Sequence, residues 1–200
     1  MKKFAKKTNL DPTKLMRLFE RGTETNKKGA QKRFSHYFLG IIAVLFFVVL
    51  MMPHRCVIPV ADALPSDWNR RSFWAYPWGK SGTHKGIDIF AKRGTPVLAS
   101  TAGLVVFTGQ LDMGGNIALI LSAGWRLHYY AHLDVLETQT LTWTNTGQRI
   151  GTVGATGNAV GKAPHLHYSM TTLVPYLWLW DRKAPQGWKK IFYLNPDKYL

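Results

Sequence analysis

From Phe73 onward the chain alternates short apolar bursts with glycine-bearing turns. The bursts are Gly86–Phe90, Pro96–Ala99, Gly103–Phe107, Asn116–Leu121, Trp125–Ala131, Arg149–Ile150 and Leu166–Tyr168. Turn signals recur about every eight to twelve residues, and no helical period of useful length appears, a pattern of many short strands joined by tight turns. It predicts an all-β domain over 73–200: a compact antiparallel β-sheet, a barrel-like sandwich. Ahead of it stands a different pattern. Residues 37–52 read Tyr-Phe-Leu-Gly-Ile-Ile-Ala-Val-Leu-Phe-Phe-Val-Val-Leu-Met-Met with no polar face, and counted from Phe34 the run covers 19 residues broken only by Ser35 and His36. A bilayer core takes about twenty helical residues, so 37–52 predicts a single transmembrane anchor helix. Earlier still, Asp11-Pro12-Thr13 marks a helix start with Asp11 as cap, running to about Glu20 and ending near Gly22. Residues 22–33 are expected to be polar and flexible, and 53–72 to be a linker.

Charge sharpens this outline. The 200 residues carry a formal charge of +15, and residues 1–36 hold eleven Lys or Arg against three acids. A basic segment before an apolar span stays in the cytoplasm, which predicts a basic cytoplasmic arm over 1–36 and an outward-facing domain after residue 52. The arm's lysines suit anionic lipid headgroups. No aromatic interleaving or nucleic-acid motif accompanies them, which argues against a nucleic-acid partner. Ala61-Asp62-Ala63 has the small-x-small form of a signal-peptidase site, a competing reading in which the helix is removed. The long basic segment in front, and the residues including His54 and Arg55 between run and site, favour an uncleaved anchor. Cys56 is the single cysteine, so no internal disulfide forms.

The chemistry lies in the histidines, at 36, 54, 84, 128, 132, 165 and 167. Pro164-His165-Leu166-His167 places two imidazoles at i and i+2, on one face of a strand. His84-Lys-Gly-Ile-Asp88 does the same for an imidazole and a carboxylate, and Gly86 between them leaves the approach open. One nitrogen from the His165/His167 pair added to His84 and Asp88 makes three protein ligands with a vacant fourth position, the description of a catalytic zinc site. Alternation puts His128, Tyr130 and His132 on a common face. If His132 also reaches the centre, there are more imidazoles than the metal needs, leaving two histidines for proton transfer. His128 is read as a surface or supporting residue.

The ordered set His84-Lys-Gly-Ile-Asp88, Gly94-Thr-Pro-Val97, Gly115-Asn116, Tyr130-Ala-His-Leu133, Gly147-Gln-Arg-Ile-Gly151, Gly154-Ala-Thr-Gly157 and Pro164-His-Leu-His-Tyr168 resembles the lysostaphin/LytM-type zinc metallopeptidases, which cleave peptide bonds of bacterial peptidoglycan. The resemblance covers about half the chain. It implies a β-sheet fold with one Zn2+ per chain held by His84, Asp88 and His167, and catalytic roles for His132 and His165. The His-x-His pair is usually followed by aromatic-Glu; here Ser169 follows Tyr168, which puts the surroundings of the second histidine ligand in question. A tyrosine upstream of the first ligand often assists in relatives, and Tyr76 is the nearest candidate.

Together these readings give a membrane-anchored zinc metalloendopeptidase acting on peptidoglycan crosslinks outside the cytoplasmic membrane. The alternative is a non-catalytic regulator of the same fold that binds and activates another cell-wall hydrolase. Lys80, Lys85 and Lys162 would attract an anionic wall polymer. Core packing accounts for most of the aromatic tail, which holds Tyr176, Trp178, Trp180, Trp188, Phe192, Tyr193 and Tyr199, with substrate contact by one or two tryptophans as the other use.

Overall fold

The computed structural model describes residues 12–52 and 56–200. Contacts divide the chain into two units at Val48/Val49. The first holds α1, one helix from Pro12 to Met51 whose last three residues fall in the second unit. The expected break near Gly22 and the loose stretch over 22–33 are not found; the backbone stays helical through both. Gly22 and Gly29 each cost about 1 kcal/mol relative to alanine, but Lys, Gln, Glu and Ala around them are strong helix formers and the apolar run continues the helix. Asp11, the expected cap, lies outside the described residues, as do His54 and Arg55. Within α1, Gln31–Met51 is long and apolar enough to cross a membrane, and Phe34, Leu39, Ile41, Val44, Leu45 and Phe47 are exposed.

The second unit is β-rich. Its strands are β1 Ile87–Phe90, β2 Pro96–Leu98, β3 Gly103–Leu111, β4 Gly115–Ser122, β5 Arg126–Leu136, β6 Trp143–Thr144, β7 Arg149–Val153, β8 His165–Thr172 and β9 Tyr193–Leu194. They form one antiparallel sheet in the order β1-β8-β5-β4-β3-β6, with β7 pairing β2 and β5, and β9 pairing β8. The sheet is not closed into a barrel: β1 and β6 end the path unpaired with each other. Among the described residues from Cys56 onward, helix is confined to short 3-10 turns.

Residues 56–72, read from sequence as part of a linker, pack onto the sheet. The Val57 N–H donates to the Ser100 carbonyl at 2.8 Å. Val60 bridges to Val97 and is buried, and Trp68 is buried with its indole N–H donating to Asp197 at 3.0 Å. Apolar side chains at these positions outweigh the irregular backbone, each fully buried one contributing about 1.5–3 kcal/mol.

Strand alternation sorts the two faces of the central strands. Ile87, Ile89, Leu166, Tyr168, Met170 and Tyr130 are fully buried in the core. The Tyr130 hydroxyl accepts the Ser100 N–H at 2.8 Å, and the Tyr168 hydroxyl pairs with His128 Nδ1 at 2.6 Å. His128 is fully buried, its Nε2 meeting the Ser122 hydroxyl at 2.9 Å. It is a supporting core residue, not a surface one. The opposite face, carrying Asp88, Phe90, Tyr129, Ala131, His165 and His167, lines a cleft.

Candidate metal centre

Register brings the site together. β1 pairs β8 with Asp88 opposite His167 and Phe90 opposite His165, and β5 sets Ala131 opposite His167. Residues opposite each other in an antiparallel pair lie on the same face. His84 stands just ahead of β1, and Gly86 lets it approach: a Cβ there would lie 2.4 Å from the Tyr168 carbonyl oxygen and 2.9 Å from His167 Cε1. The open approach expected of Gly86 is therefore a tight one, with the His167 ring filling the space a side chain would take.

Three ligand atoms meet. His84 Nε2 lies 3.0 Å from Asp88 Oδ1 and 3.2 Å from His167 Nδ1, and His167 Nδ1 lies 2.8 Å from Asp88 Oδ1. Among the described residues this is a group able to hold a metal ion. The donor set fits one. His84 Nδ1 faces the Ser72 carbonyl at 3.0 Å and must donate there, so in the neutral ring Nε2 carries a lone pair. That lone pair points at a carboxylate oxygen, an arrangement a positive centre satisfies. Zinc bonds of about 2.0–2.1 Å set tetrahedral ligand atoms about 3.3 Å apart, close to these separations. Burial alone would raise the Asp88 pKa, but the His167 and His84 rings set against the carboxylate, His167 first, outweigh it and hold the carboxyl well below the usual range.

His132 and His165 stand beside this group, their ring centroids 5.0 Å apart, with His132 6.0 Å from His167. His132 reaches the cleft by breaking alternation. Parity along β5 would put it with His128 and Tyr130 in the core; instead its φ is +64° and the register shifts between Asn116 and Ala118. This bulge turns the side chain to the other face. A non-glycine residue there costs about 1–3 kcal/mol and persists only when surroundings over-determine it. They do: the His132 N–H donates to the Gly114 carbonyl at 2.7 Å, and Thr156 Oγ1 donates to the Leu133 carbonyl at 2.9 Å. Asn116 gives its backbone N–H to Thr156 Oγ1 and its side-chain amide to the Leu133 and Asp134 carbonyls.

Both rings are oriented by backbone carbonyls. His132 Nδ1 donates to Thr156 at 2.9 Å, and His165 Nδ1 to Ala163 at 2.7 Å. Each neutral ring therefore offers Nε2 as an acceptor. Burial lowers the His132 pKa to about 4, helped by the nearby His167 and His165 rings and opposed by the Thr156 hydrogen bond and Asp88. The imidazole is neutral at pH 7, in the form that takes up a proton. The surrounding cleft has a volume of about 590 Å³.

Residues 82–176 match the model of peptidase family M23. That segment belongs to the family. It is 38% identical over 96 residues to lysostaphin of Staphylococcus staphylolyticus, covering 46% of this chain and 20% of that protein. It is 42% identical over 85 residues to the DD-carboxypeptidase/endopeptidase Mpg of Neisseria meningitidis serogroup B, covering 42% of this chain and 19% of that one. Among solved structures, the crystal structure of a putative glycyl-glycine endopeptidase lytM from Ruminococcus gnavus aligns with a TM-score of 0.50 at 25% identity, covering 64% of this chain and 50% of that one. The chain spans about a fifth of the length of these two curated relatives.

Against the M23 match, several neighbours of the site had no mark in the sequence. The carbonyls of Ser72, Thr156 and Ala163 orient three rings, and backbone acceptors leave no residue-type signal. Trp78 stacks on His84 with centroids 4.2 Å apart at 23°, while Tyr76 is 62% exposed and does not line the cleft. The aromatic density of Phe73-Trp-Ala-Tyr-Pro-Trp78 was the available hint. Tyr129, 6.3 Å from the His167 ring, shares parity with Ala131 and was hidden by counting from His132. Ser169 occupies the M23 position where a carboxylate was expected and donates to the Lys85 carbonyl at 2.7 Å, tying the His84–Asp88 segment to β8. Lys80, Lys85 and Lys162 line the cleft; burial, then nearby Lys189, lowers the Lys85 pKa.

Proposed function

We propose that this M23 peptidase is a zinc metalloendopeptidase that hydrolyses peptide crosslinks of bacterial peptidoglycan. The observation that carries the reading is the meeting of His84 Nε2, Asp88 Oδ1 and His167 Nδ1 beside two further oriented imidazoles. His84, Asp88 and His167 would hold the zinc ion, which when bound supplies a Lewis acid for the scissile carbonyl and makes a water acidic enough to attack near pH 7. His132 and His165 do the proton work. With Nδ1 donating to a carbonyl, the neutral form of either ring has its lone pair on Nε2, where it takes the water's proton and, once charged, donates it to the leaving amine. A charged ring also donates toward the developing oxyanion. The Thr156 and Ala163 carbonyls keep both rings in the tautomer this sequence needs. Trp78 and Phe90, packed on His84 and His165, restrict the tilt of those two rings.

The chain's placement is part of the proposal. Residues 1–36 form the cytoplasmic arm and 37–52 the single-pass anchor in the cytoplasmic membrane, with the 73–200 domain facing the periplasm or wall. The length and exposed apolar character of Gln31–Met51 and the cations before it support this.

The test is digestion of defined crosslinked muropeptides by the full chain and by His167→Ala, with zinc analysis of both. Product from the parent and none from the variant is expected. Equal activity removes His167 from the mechanism, and a zinc-free, inactive parent points to the regulator that activates another hydrolase.

A further inference from the structure

The M23 match ends at residue 176, and the chain beyond it builds a feature the hydrolase reading does not use. Two 3-10 turns, Leu177–Leu179 and Gly187–Ile191, pack on each other. Leu179 turns inward against the core, whereas Leu177, Trp178, Trp180 and Trp188 are 67%, 77%, 55% and 56% exposed. Large apolar groups clustered at such exposure mark an interaction surface. Cations interleave them. The Arg182 guanidinium lies 5.6 Å from the Trp180 ring and the Lys189 ammonium 5.5 Å from Trp188. Between residues 173 and 192 the one acid, Asp181, is paired with Lys190 at 2.8 Å, leaving Arg182, Lys183 and Lys189 as net positive charge.

We infer that this face docks on an anionic bilayer surface. Tryptophan with an apolar body and a polar N–H partitions to the membrane–water boundary. Basic side chains beside it meet anionic headgroups. A sugar-stacking platform would need flat aromatic faces but no exposed leucine and no net charge; this face has both. The proposal rests on the anchor reading, since the helix brings the chain to a membrane, and it is independent of catalysis.

All eight tryptophans lie beyond residue 56, so tryptophan emission reports the β-rich unit alone. The full chain is reconstituted into vesicles of acyl-brominated phosphatidylcholine with or without phosphatidylglycerol. Quenching that strengthens with phosphatidylglycerol is expected. Arg182→Glu/Lys183→Glu keeps every fluorophore; it should reduce the docked fraction relative to undocked roughly thirtyfold, at about fivefold per basic residue, and return quenching to the neutral-lipid level. No quenching in the parent, or equal quenching in the variant, overturns the proposal. So does a tryptophan shift caused by purified glycan strands without any effect of brominated lipid. Release of the chain by carbonate would show that the anchor reading itself has failed.

Discussion

Gly86→Ala tests how tightly the two ligand-bearing strands are held. An added Cβ would lie 2.4 Å from the backbone oxygen of Tyr168, where ordinary van der Waals contact begins at 3.4 Å, so the methyl is 1.0 Å too close. It would also stand 2.9 Å and 3.0 Å from His167 Cε1 and Nε2. The carbonyl belongs to β8 and cannot rotate away, so β1 must move off β8 or His167 must swing. Gly86 is outside the left-handed region, and alanine would otherwise stabilise by about 0.4–1 kcal/mol through the unfolded chain. Overpacking costs about 1–3 kcal/mol, so the clash wins and a net loss of about 1–2 kcal/mol is expected. His84 and Asp88 flank the moved residue, and zinc affinity should fall about 10–100-fold, the range seen when groups supporting metal ligands are lost. Urea unfolding of the detergent-solubilised full chain in zinc-free buffer, followed by tryptophan emission, reads the first effect; competition with a chromophoric chelator reads the second. A variant as stable as the parent with unchanged zinc affinity would refute the tight packing at Gly86.

His132→Ala and His165→Ala should each lower turnover of muropeptide about 10²–10⁴-fold while zinc stoichiometry stays at the parent value, measured by steady-state assay and metal analysis. Thr156→Val removes the hydroxyl that holds the Leu133 carbonyl and receives the Asn116 N–H; kcat should drop with zinc affinity intact, because the bulge that aims His132 loosens and the ligand set does not. Chelation should abolish turnover and lower the midpoint of thermal unfolding, with recovery on adding zinc, since an ion bound by the folded state alone stabilises it. His128→Ala removes the ring that meets the buried Tyr168 hydroxyl and opens a cavity, while Ser122 keeps its backbone acceptors, a destabilisation of about 2–4 kcal/mol in urea unfolding.

What was legible in the sequence depended on period. The apolar bursts after Phe73 alternate cleanly because one face of the central strands is core, so the antiparallel sheet was readable. His165 and His167 share a face because β8 is regular through them, and Asp88 follows the same parity on β1. His132 broke the rule: alternation grouped it with Tyr130, and only the positive φ at the bulge separates them. The sequence marks that bulge indirectly, through Gly115-Asn116 and Thr156, whose contacts hold it. Barrel closure was not decided by pattern, since strand pairing at the edges is a long-range matter. Residues 22–33 looked loose because glycine and polar side chains dominate there, yet their helix propensity carries α1 through.

The central claim is that His84, Asp88 and His167 share one metal ion, and X-ray absorption at the zinc edge on the zinc-loaded full chain tests it most directly. The expected spectrum shows a first shell of nitrogen and oxygen only, with imidazole outer-shell scattering that falls in His84→Ala and His167→Ala and persists in His132→Ala. A sulfur shell from Cys56, or zinc bound equally well without His84 and His167, would contradict it.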